Sequence, residues 1–395
     1  MVILTIPVAS ISAITNIVTS PITSVSLDFS IIAGDWTGTG SYEGVNWVSA
    51  SRTLTLTNAN VYGNDSSSGD CYGMNLPSDT TIILNGNSTV TGGVSASTYS
   101  YGIYSEGSLT IQGEGSLSVT SGTGVAYVCG ICVATGTMTV SSGNIVATGG
   151  TAASSYGIVN NDGDIIISGG NVTVTGGTAT NSYGIVSPKS LYVTGGTLVA
   201  TGGVASTESY GIRSTVSTSL SGGLIVAKGT TKALYSAPIG EISTPLSGGD
   251  TLTSAVYGTS EYKVLTTGLD CSTLTEDTGT LFTNGYEWIN STKTLTIENL
   301  VISTSDLTAL YFPSGATLNV QGVNVIISGD SSKGNAKSRC IFGIGALNIQ
   351  GDGAVTTISG KADYSISIYT NTNINISGCK VTAIGGNSNR CSYGF

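Results

Sequence analysis

A tripeptide of tyrosine, glycine and isoleucine recurs along the chain, and this repeat constrains the fold more than any other feature of the sequence. The six copies are Tyr72-Gly73-Met74, Tyr101-Gly102-Ile103, Cys129-Gly130-Ile131, Tyr156-Gly157-Ile158, Tyr183-Gly184-Ile185 and Tyr210-Gly211-Ile212. Their central glycines lie 29, 28, 27, 27 and 27 residues apart. A fixed period of this length is typical of proteins in which one structural unit stacks on the next.

Each repeat contains three short runs with the composition of β-strands: the Tyr-Gly-Ile run, a second such as Ile165–Ile167 and a third such as Val172–Val174. Glycine pairs such as Gly169-Gly170 separate the runs and supply the backbone freedom of sharp corners. Strands that return to the same sheet after each circuit are parallel, and such crossovers are almost always right-handed. The sequence therefore predicts an all-β fold, a right-handed parallel β-helix (β-solenoid) with coils of about 27 residues.

Equivalent positions of successive coils stack on one another, so the residue after each glycine predicts a buried aliphatic ladder. Its members are Met74, Ile103, Ile131, Ile158, Ile185 and Ile212. Strand alternation places each tyrosine on the same side as the following isoleucine unless the chain bends between them, and it predicts that the glycine points outward.

The sequence also has a second repeat, whose unit is much longer than one coil. Gly44–Trp47 followed by Arg52–Leu56 matches Gly285–Trp288 followed by Lys293–Ile297 at an offset of 241 residues. We therefore predict two tandem modules that begin with the same tryptophan. That side chain is interpreted as a hydrophobic plug over the first coil or, alternatively, as a surface for stacking on a sugar.

The predicted organisation comprises a strand-forming N-terminal arm (1–34), a first β-helix module (35–236), a connector that caps it (237–275) and an open-ended second module (276–395). The arm alternates apolar and polar residues and has no charge before Asp28. Open sheet edges accept strands from other chains. These features suggest a homopolymer that grows head-to-tail by donation of the arm.

Charge and composition argue against several classes of partner and cofactor. The chain has 13 basic and 23 acidic residues, a net charge of -10, and no histidine. We therefore expect no nucleic-acid partner, no membrane insertion and no zinc site. The thiols lack paired Cys-X-X-Cys clusters and are interpreted as structural or incidental or, alternatively, as forming a crosslink. They are Cys71, Cys129, Cys132, Cys271, Cys340, Cys379 and Cys391.

The segments Tyr101–Ile103, Ser108–Leu117 and Ser168–Val174 resemble secreted bacterial β-helix proteins described as carbohydrate-binding. The likeness covers about residues 35–235 and 276–395. It implies a fold similar to that of pectate lyases without lyase activity, and an association with acidic polysaccharides and calcium.

Three functions remain open at this point. The first is a non-enzymatic structural surface or fibre protein that polymerises with itself. The second is an extracellular, adhesin-like protein that binds a surface polysaccharide through a column of tyrosines, because aromatic faces stack on sugars. That column is Tyr72, Tyr101, Tyr156, Tyr183 and Tyr210.

The third function is a polysaccharide lyase or hydrolase that uses Glu106 and Asp162. We expect no enzyme activity, because no lysine or arginine is predicted near this carboxylate pair and fold analogy alone does not establish catalysis. Asp162 and Asp164 are the calcium candidates, and no other cofactor is expected. The expected location is extracellular or on the cell surface, with a phage particle as the alternative.

Overall fold

The computed structural model describes residues 27–236, 247–248, 254–258, 262–386 and 388–395. About 60% of the described residues are in strands, and parallel stacked coils form a β-solenoid of about 12 turns with about 27 residues per turn. The predicted fold class is thereby confirmed. Helical structure in the described residues is limited to single turns at Gly40–Tyr42, Ser49–Ser51 and Leu281–Asn284. None of these turns approaches the length or hydropathy of a membrane-spanning helix.

The chain divides into two compact units, residues 1–219 with 227–240, and residues 220–226 with 241–395. The first unit has three sheets, which we call A, B and C. Sheet A contains Leu27–Asp28, Cys71–Leu76, Tyr99–Ser105, Tyr127–Val133, Thr151–Asn160, Thr178–Ser187, Ala205–Ser214 and Lys232–Ser236. Sheet B contains Trp36–Thr37, Val45–Val48, Thr53–Thr57, Thr80–Asn85, Leu109–Gly113, Met138–Val140, Ile165–Ile167, Ser190–Val193 and Ser217–Leu220. Sheet C contains Asn60–Tyr62, Asn87–Thr91, Ser116–Thr120, Asn144–Thr148, Asn171–Thr175 and Thr197–Thr201.

Further strands are Leu224–Lys228, Ser247–Gly248 and Ser254–Gly258. The second unit repeats the three-sheet arrangement, and we call its sheets A′, B′ and C′. Sheet A′ contains Leu269–Asp270, Thr308–Phe312, Lys337–Gly343, Ala362–Thr370 and Ser388–Tyr393. Sheet B′ contains Thr278–Thr280, Tyr286–Ile289, Thr294–Glu298, Ala316–Gln321, Leu347–Gly351 and Ile374–Ser377. Sheet C′ contains Lys263–Leu265, Leu300–Ser303, Val323–Ile327, Ala354–Ile358 and Lys380–Ile384.

Two predicted boundaries differ from those in the structure. Residues 1–26 of the predicted arm lie outside the described residues, but Leu27–Asp28 already pairs with the first unit, opposite Met74 and Asn75. Residues 237–246, 249–253 and 259–261 of the predicted connector are likewise not described. Lys263–Leu265 and Leu269–Asp270 nevertheless pair with strands of the second unit, which therefore begins before residue 276. The sequence pattern missed these strands because each has only two or three residues.

The aliphatic ladder follows the parallel pairing of sheet A. Ile131 is the direct partner of Ile103 on one side and of Ile158 on the other. The same register joins Met74 to Ile103, Ile158 to Ile185 and Ile185 to Ile212. All six side chains are buried, so each coil completes the core of the next.

The glycine of the repeat points toward the core, contrary to the prediction from strand alternation. A Cβ atom on Gly102 would lie 2.4 Å from the buried Val119 side chain of sheet C, and one on Gly73 would lie 2.6 Å from Val90. Tyr101 instead packs against Tyr104, with ring centroids 5.1 Å apart. The chain bends at the glycine, so the tyrosine and the following isoleucine lie on opposite faces of the sheet.

Near the start of each unit lies an antiparallel hairpin that carries the repeated tryptophan. Trp47 pairs with Leu54, and Trp288 pairs with Leu295 in the equivalent hairpin. Both tryptophans are at most 2% exposed, and their Nε1 atoms have no hydrogen-bond partner in the described residues. Enclosed rings have no free face for a sugar, so the geometry favours the interpretation as a hydrophobic plug.

Candidate functional site

The outer face of sheet A has a column of stacked tyrosines. The rings of Tyr72 and Tyr101 lie 5.3 Å apart and nearly parallel, at 13°. Tyr156 and Tyr183 stack at 5.4 Å and 26°, and the rings of Tyr183 and Tyr210 lie 5.5 Å apart, tilted by 40°. These separations are typical of favourable aromatic pairs.

A different tyrosine bridges the one coil in which the repeat has cysteine. The ring of Tyr127 lies 5.9 Å from that of Tyr101 and 4.7 Å from that of Tyr156, which makes the column continuous past Cys129. Cys129 and Cys132 are buried beneath these rings, and burial raises the pKa of the Cys129 thiol. All seven cysteines are free thiols. This part of the column thus has an apolar interior.

The predicted sugar-stacking tyrosines face outward but cover one another. Tyr101, Tyr183 and Tyr210 are 8%, 5% and 7% exposed, because each ring lies between rings of adjacent coils. Burial raises the pKa of Tyr101 and Tyr183, and the Tyr183 hydroxyl donates a hydrogen bond to Glu208 at 2.7 Å. The column therefore presents ring edges and hydroxyls, and its role in sugar binding stays a prediction.

The calcium candidates Asp162 and Asp164 are both engaged by the adjoining coil. An oxygen of Asp162 lies 3.1 Å from Lys189 Nζ, and an oxygen of Asp164 accepts a hydrogen bond from the Ser190 amide at 2.9 Å. The expectation that no basic residue lies near Asp162 is wrong, because Lys189 follows one coil later and stacking brings it alongside. The described residues contain no group of three or more side chains arranged to hold a metal ion.

The second unit has a groove on the outer face of sheet A′ that sequence reasoning missed, and we call it the basic groove. Its volume is about 370 Å³. It is lined by Asn335, Lys337, Arg339, Tyr364, Ile366 and Tyr369. Parallel pairing assembles it from two coils, because Lys337 lies opposite Tyr364, and Arg339 opposite Ile366.

Cations in the groove lie over aromatic rings. The Arg339 guanidinium is 4.1 Å from the centroid of Phe342, and Lys337 Nζ is 5.9 Å from that of Tyr364. Arg390 lies 5.7 Å from the same Tyr364 ring and donates a hydrogen bond to its hydroxyl at 3.1 Å. Such contacts stabilise a cation at the ring face. The groove therefore combines positive charge with aromatic surface.

A local charge signal in the sequence marks this region. Residues 333–390 contain six basic and two acidic residues, although the whole chain has a net charge of -10. The expectations from sequence rest on the net charge of the whole chain, and that value does not reveal a basic segment within it.

Comparisons with family models, with curated proteins and with solved structures gave no match. The resemblance to carbohydrate-binding β-helix proteins accordingly stays an expectation. The fold itself defines the class of protein, a parallel β-solenoid repeat protein.

Proposed function

We propose that the protein is a non-enzymatic structural component of a cell surface, fibre or phage particle. One observation supports this: the repeated side chains of sheet A contact their own copies in neighbouring coils on both faces. Ile131 pairs with Ile158 inside, and Tyr156 stacks on Tyr183 outside. Repetition of this kind stabilises a long, rigid spine, and it explains why the same residues recur at one-coil spacing.

Two measurements on the full chain test the proposal. Incubation with pectin, alginate and neutral glucans, followed by assays for reducing ends and unsaturated products, should show no release above buffer. Limited proteolysis should leave both units intact at protease levels that digest an ordinary unfolded chain. Release of sugar that disappears in an Asp162→Asn variant would instead establish a polysaccharide-cleaving enzyme.

Assembly into fibres is the more specific form of the proposal. Leu27–Asp28 occupies a strand position beside Cys71–Leu76 of its own chain, so the segment available for donation is residues 1–26. Electron microscopy of the full chain should show filaments, and deletion of residues 1–26 should abolish them. A full-length protein that stays monomeric at high concentration contradicts head-to-tail assembly.

Carbohydrate binding is the second candidate, and the end of the tyrosine column favours it. Tyr235 stacks on Tyr210 at 5.5 Å and 19° and is 43% exposed, unlike the enclosed rings of the column. Affinity electrophoresis in polysaccharide gels should show retardation that Tyr235→Ala removes. Tyr62→Ala is the matched control, because Tyr62 is 61% exposed on sheet C.

A further inference from the structure

One coil of sheet A has a pair of thiols where the preceding coil has a pair of aromatic rings. Cys129 is the direct partner of Tyr101, and Cys132 is the direct partner of Tyr104. Both cysteines pack in the tyrosine cluster on the outer face of the sheet, because the chain bends at Gly130 between them. The two thiols are hydrogen-bonded neighbours. A single coil therefore presents two sulfur ligands side by side.

Two polar side chains are directed at the sulfur atom of Cys132. The Asn161 side-chain nitrogen donates a hydrogen bond to Cys132 Sγ at 3.6 Å, and the Tyr127 hydroxyl lies 3.9 Å from the same atom. Hydrogen bonds of this kind favour the charged form of the group that accepts them. A cysteine that only filled space in the cluster would need neither donor, so this arrangement suits a thiolate.

A layer of aromatic rings covers the two sulfur atoms. Tyr101, Tyr104, Tyr127 and Tyr156 pack around the thiols, which are themselves completely buried. Tyr104 and Tyr127 are partly exposed, and side chains at a protein surface rotate rapidly. Rotation of either ring would admit a small ion to the sulfur atoms. Ring faces also attract cations.

The number and type of the ligands determine which metal ion fits. In the described part of the chain no carboxylate, imidazole or further thiol joins the pair as a third ligand. Zinc favours a complete tetrahedral set of ligands, which two thiols do not supply. Cu+ and Ag+ are soft cations that prefer thiolates, and two thiolates in a line satisfy them.

We propose that Cys129 and Cys132 together bind one soft monovalent metal ion, Cu+ or Ag+. The ion forms a bond to each sulfur atom and displaces both thiol protons to solvent, and no electron is transferred. The complex keeps one negative charge, which the hydrogen bonds from Asn161 and Tyr127 offset.

Titration of the reduced full chain with Ag+ tests the site, because this ion shares the thiolate preference of Cu+ and is stable in air. The first equivalent should produce an ultraviolet band of thiolate-to-metal charge transfer and release two protons. It should also quench tyrosine fluorescence, because four tyrosine rings surround the thiols. Cu+ added under nitrogen should displace Ag+ from the same position.

Substitutions separate this pair from the other thiols of the chain. Cys129→Ser and Cys132→Ser should each lower the affinity for the first equivalent at least about a hundredfold, since each removes a direct ligand. Asn161→Leu removes only a hydrogen bond to the ligand and should lower the affinity about tenfold. Cys340→Ser is the matched control, because Cys340 is equally buried but lies in the second unit. Its first equivalent should bind as in the parent protein.

Several results would overturn the site: no tight binding of Ag+, equal losses in Cys340→Ser and Cys129→Ser, or a first equivalent that leaves tyrosine fluorescence unchanged. A disulfide between Cys129 and Cys132 that persists in excess reductant would identify the pair as a crosslink and would also reject the metal site. If Cys129→Ser alters the circular dichroism spectrum, Asn161→Leu at an exposed position replaces it, and unchanged affinity there contradicts the proposal.

Discussion

Ile158 lies in the middle of the aliphatic ladder, completely buried between Ile131 and Ile185. Ile158→Asp should lower the free energy of unfolding by about 3–5 kcal/mol, because it places an unpaired charge in the core. Ile158→Val, which removes one methyl group, should cost only about 1 kcal/mol. Urea denaturation followed by circular dichroism measures both values. Similar losses in the two variants would show that position 158 is not part of a tightly packed ladder.

Gly102 should tolerate no side chain, because its missing Cβ points into the core. A methyl group there would lie 2.4 Å from Val119 and 2.7 Å from the Gly130 carbonyl oxygen. We expect Gly102→Ala to destabilise the first unit by about 1–3 kcal/mol through overpacking. Gly34→Ala is the control, since nothing lies within 4 Å of the added atom. Equal thermal stability of the two variants contradicts the inward direction of Gly102.

These two positions show how far the sequence determines side-chain direction. The spacing of Ile131, Ile158 and Ile185 is sufficient to predict that they stack, because parallel coils of equal length align equivalent residues. The face occupied by the preceding tyrosine is not predictable in this way. A bend of the backbone at one glycine reverses the strict alternation, and strand periodicity assumes that no such bend occurs.

The thiol of Cys340 gives the second unit a specific alkaline sensitivity. Burial raises its pKa from 9.0 to about 11. Between these values the unfolded chain loses the proton while the folded protein keeps it, so the folded state binds more protons. The free energy of unfolding is therefore unaffected below pH 9 and falls by roughly 2–3 kcal/mol as the pH rises from 9 to 11.

Urea denaturation of the parent protein and of Cys340→Ala on either side of that pH range checks this expectation. The buried tyrosines titrate in both proteins, so the difference between the two pH dependences isolates the thiol. Identical pH dependence in the two proteins would refute the assignment.

At the level of elements, the antiparallel hairpins lie near the start of the two units and pair with the parallel coils that follow. An uncovered first coil would expose apolar side chains and unpaired strand edges, which promote aggregation. Trp47→Ala should therefore lower stability by about 3–5 kcal/mol and increase light scattering on warming. Trp36, which pairs with Trp47 from the neighbouring strand Trp36–Thr37, is only partly buried, so Trp36→Ala should have a smaller effect on both measurements. Equal effects would mean that the hairpin does not act through the buried indole.

The sequence located these elements without determining their pairing. The duplicated tryptophan segments marked the first hairpin of each unit, but an alternating run of four residues is the same in a parallel and an antiparallel strand. The basic groove was missed for a related reason. Lys337 and Tyr364 are 27 residues apart, and their side chains form one site only after the coils are stacked in register.

At the level of the whole molecule, the division into two compact units predicts two unfolding transitions. Each unit has its own apolar core and its own buried tryptophan, so most of the stabilising contacts are local to one unit. Ile158→Asp should lower one transition by about 10 °C and leave the other in place. Ile349→Asp, at a completely buried position of sheet B′, should lower the other transition by a similar amount.

Differential scanning calorimetry of the full chain and the two variants measures the temperature of each unfolding transition. If each substitution lowers the temperature of only one transition, the tandem units unfold separately. In a single cooperative solenoid, each substitution would destabilise the whole array. A single transition that both substitutions lower equally would mean that the two units behave as one continuous spine. Such a spine would resist local opening along its full length, and proteolysis of either variant would then release no stable fragment.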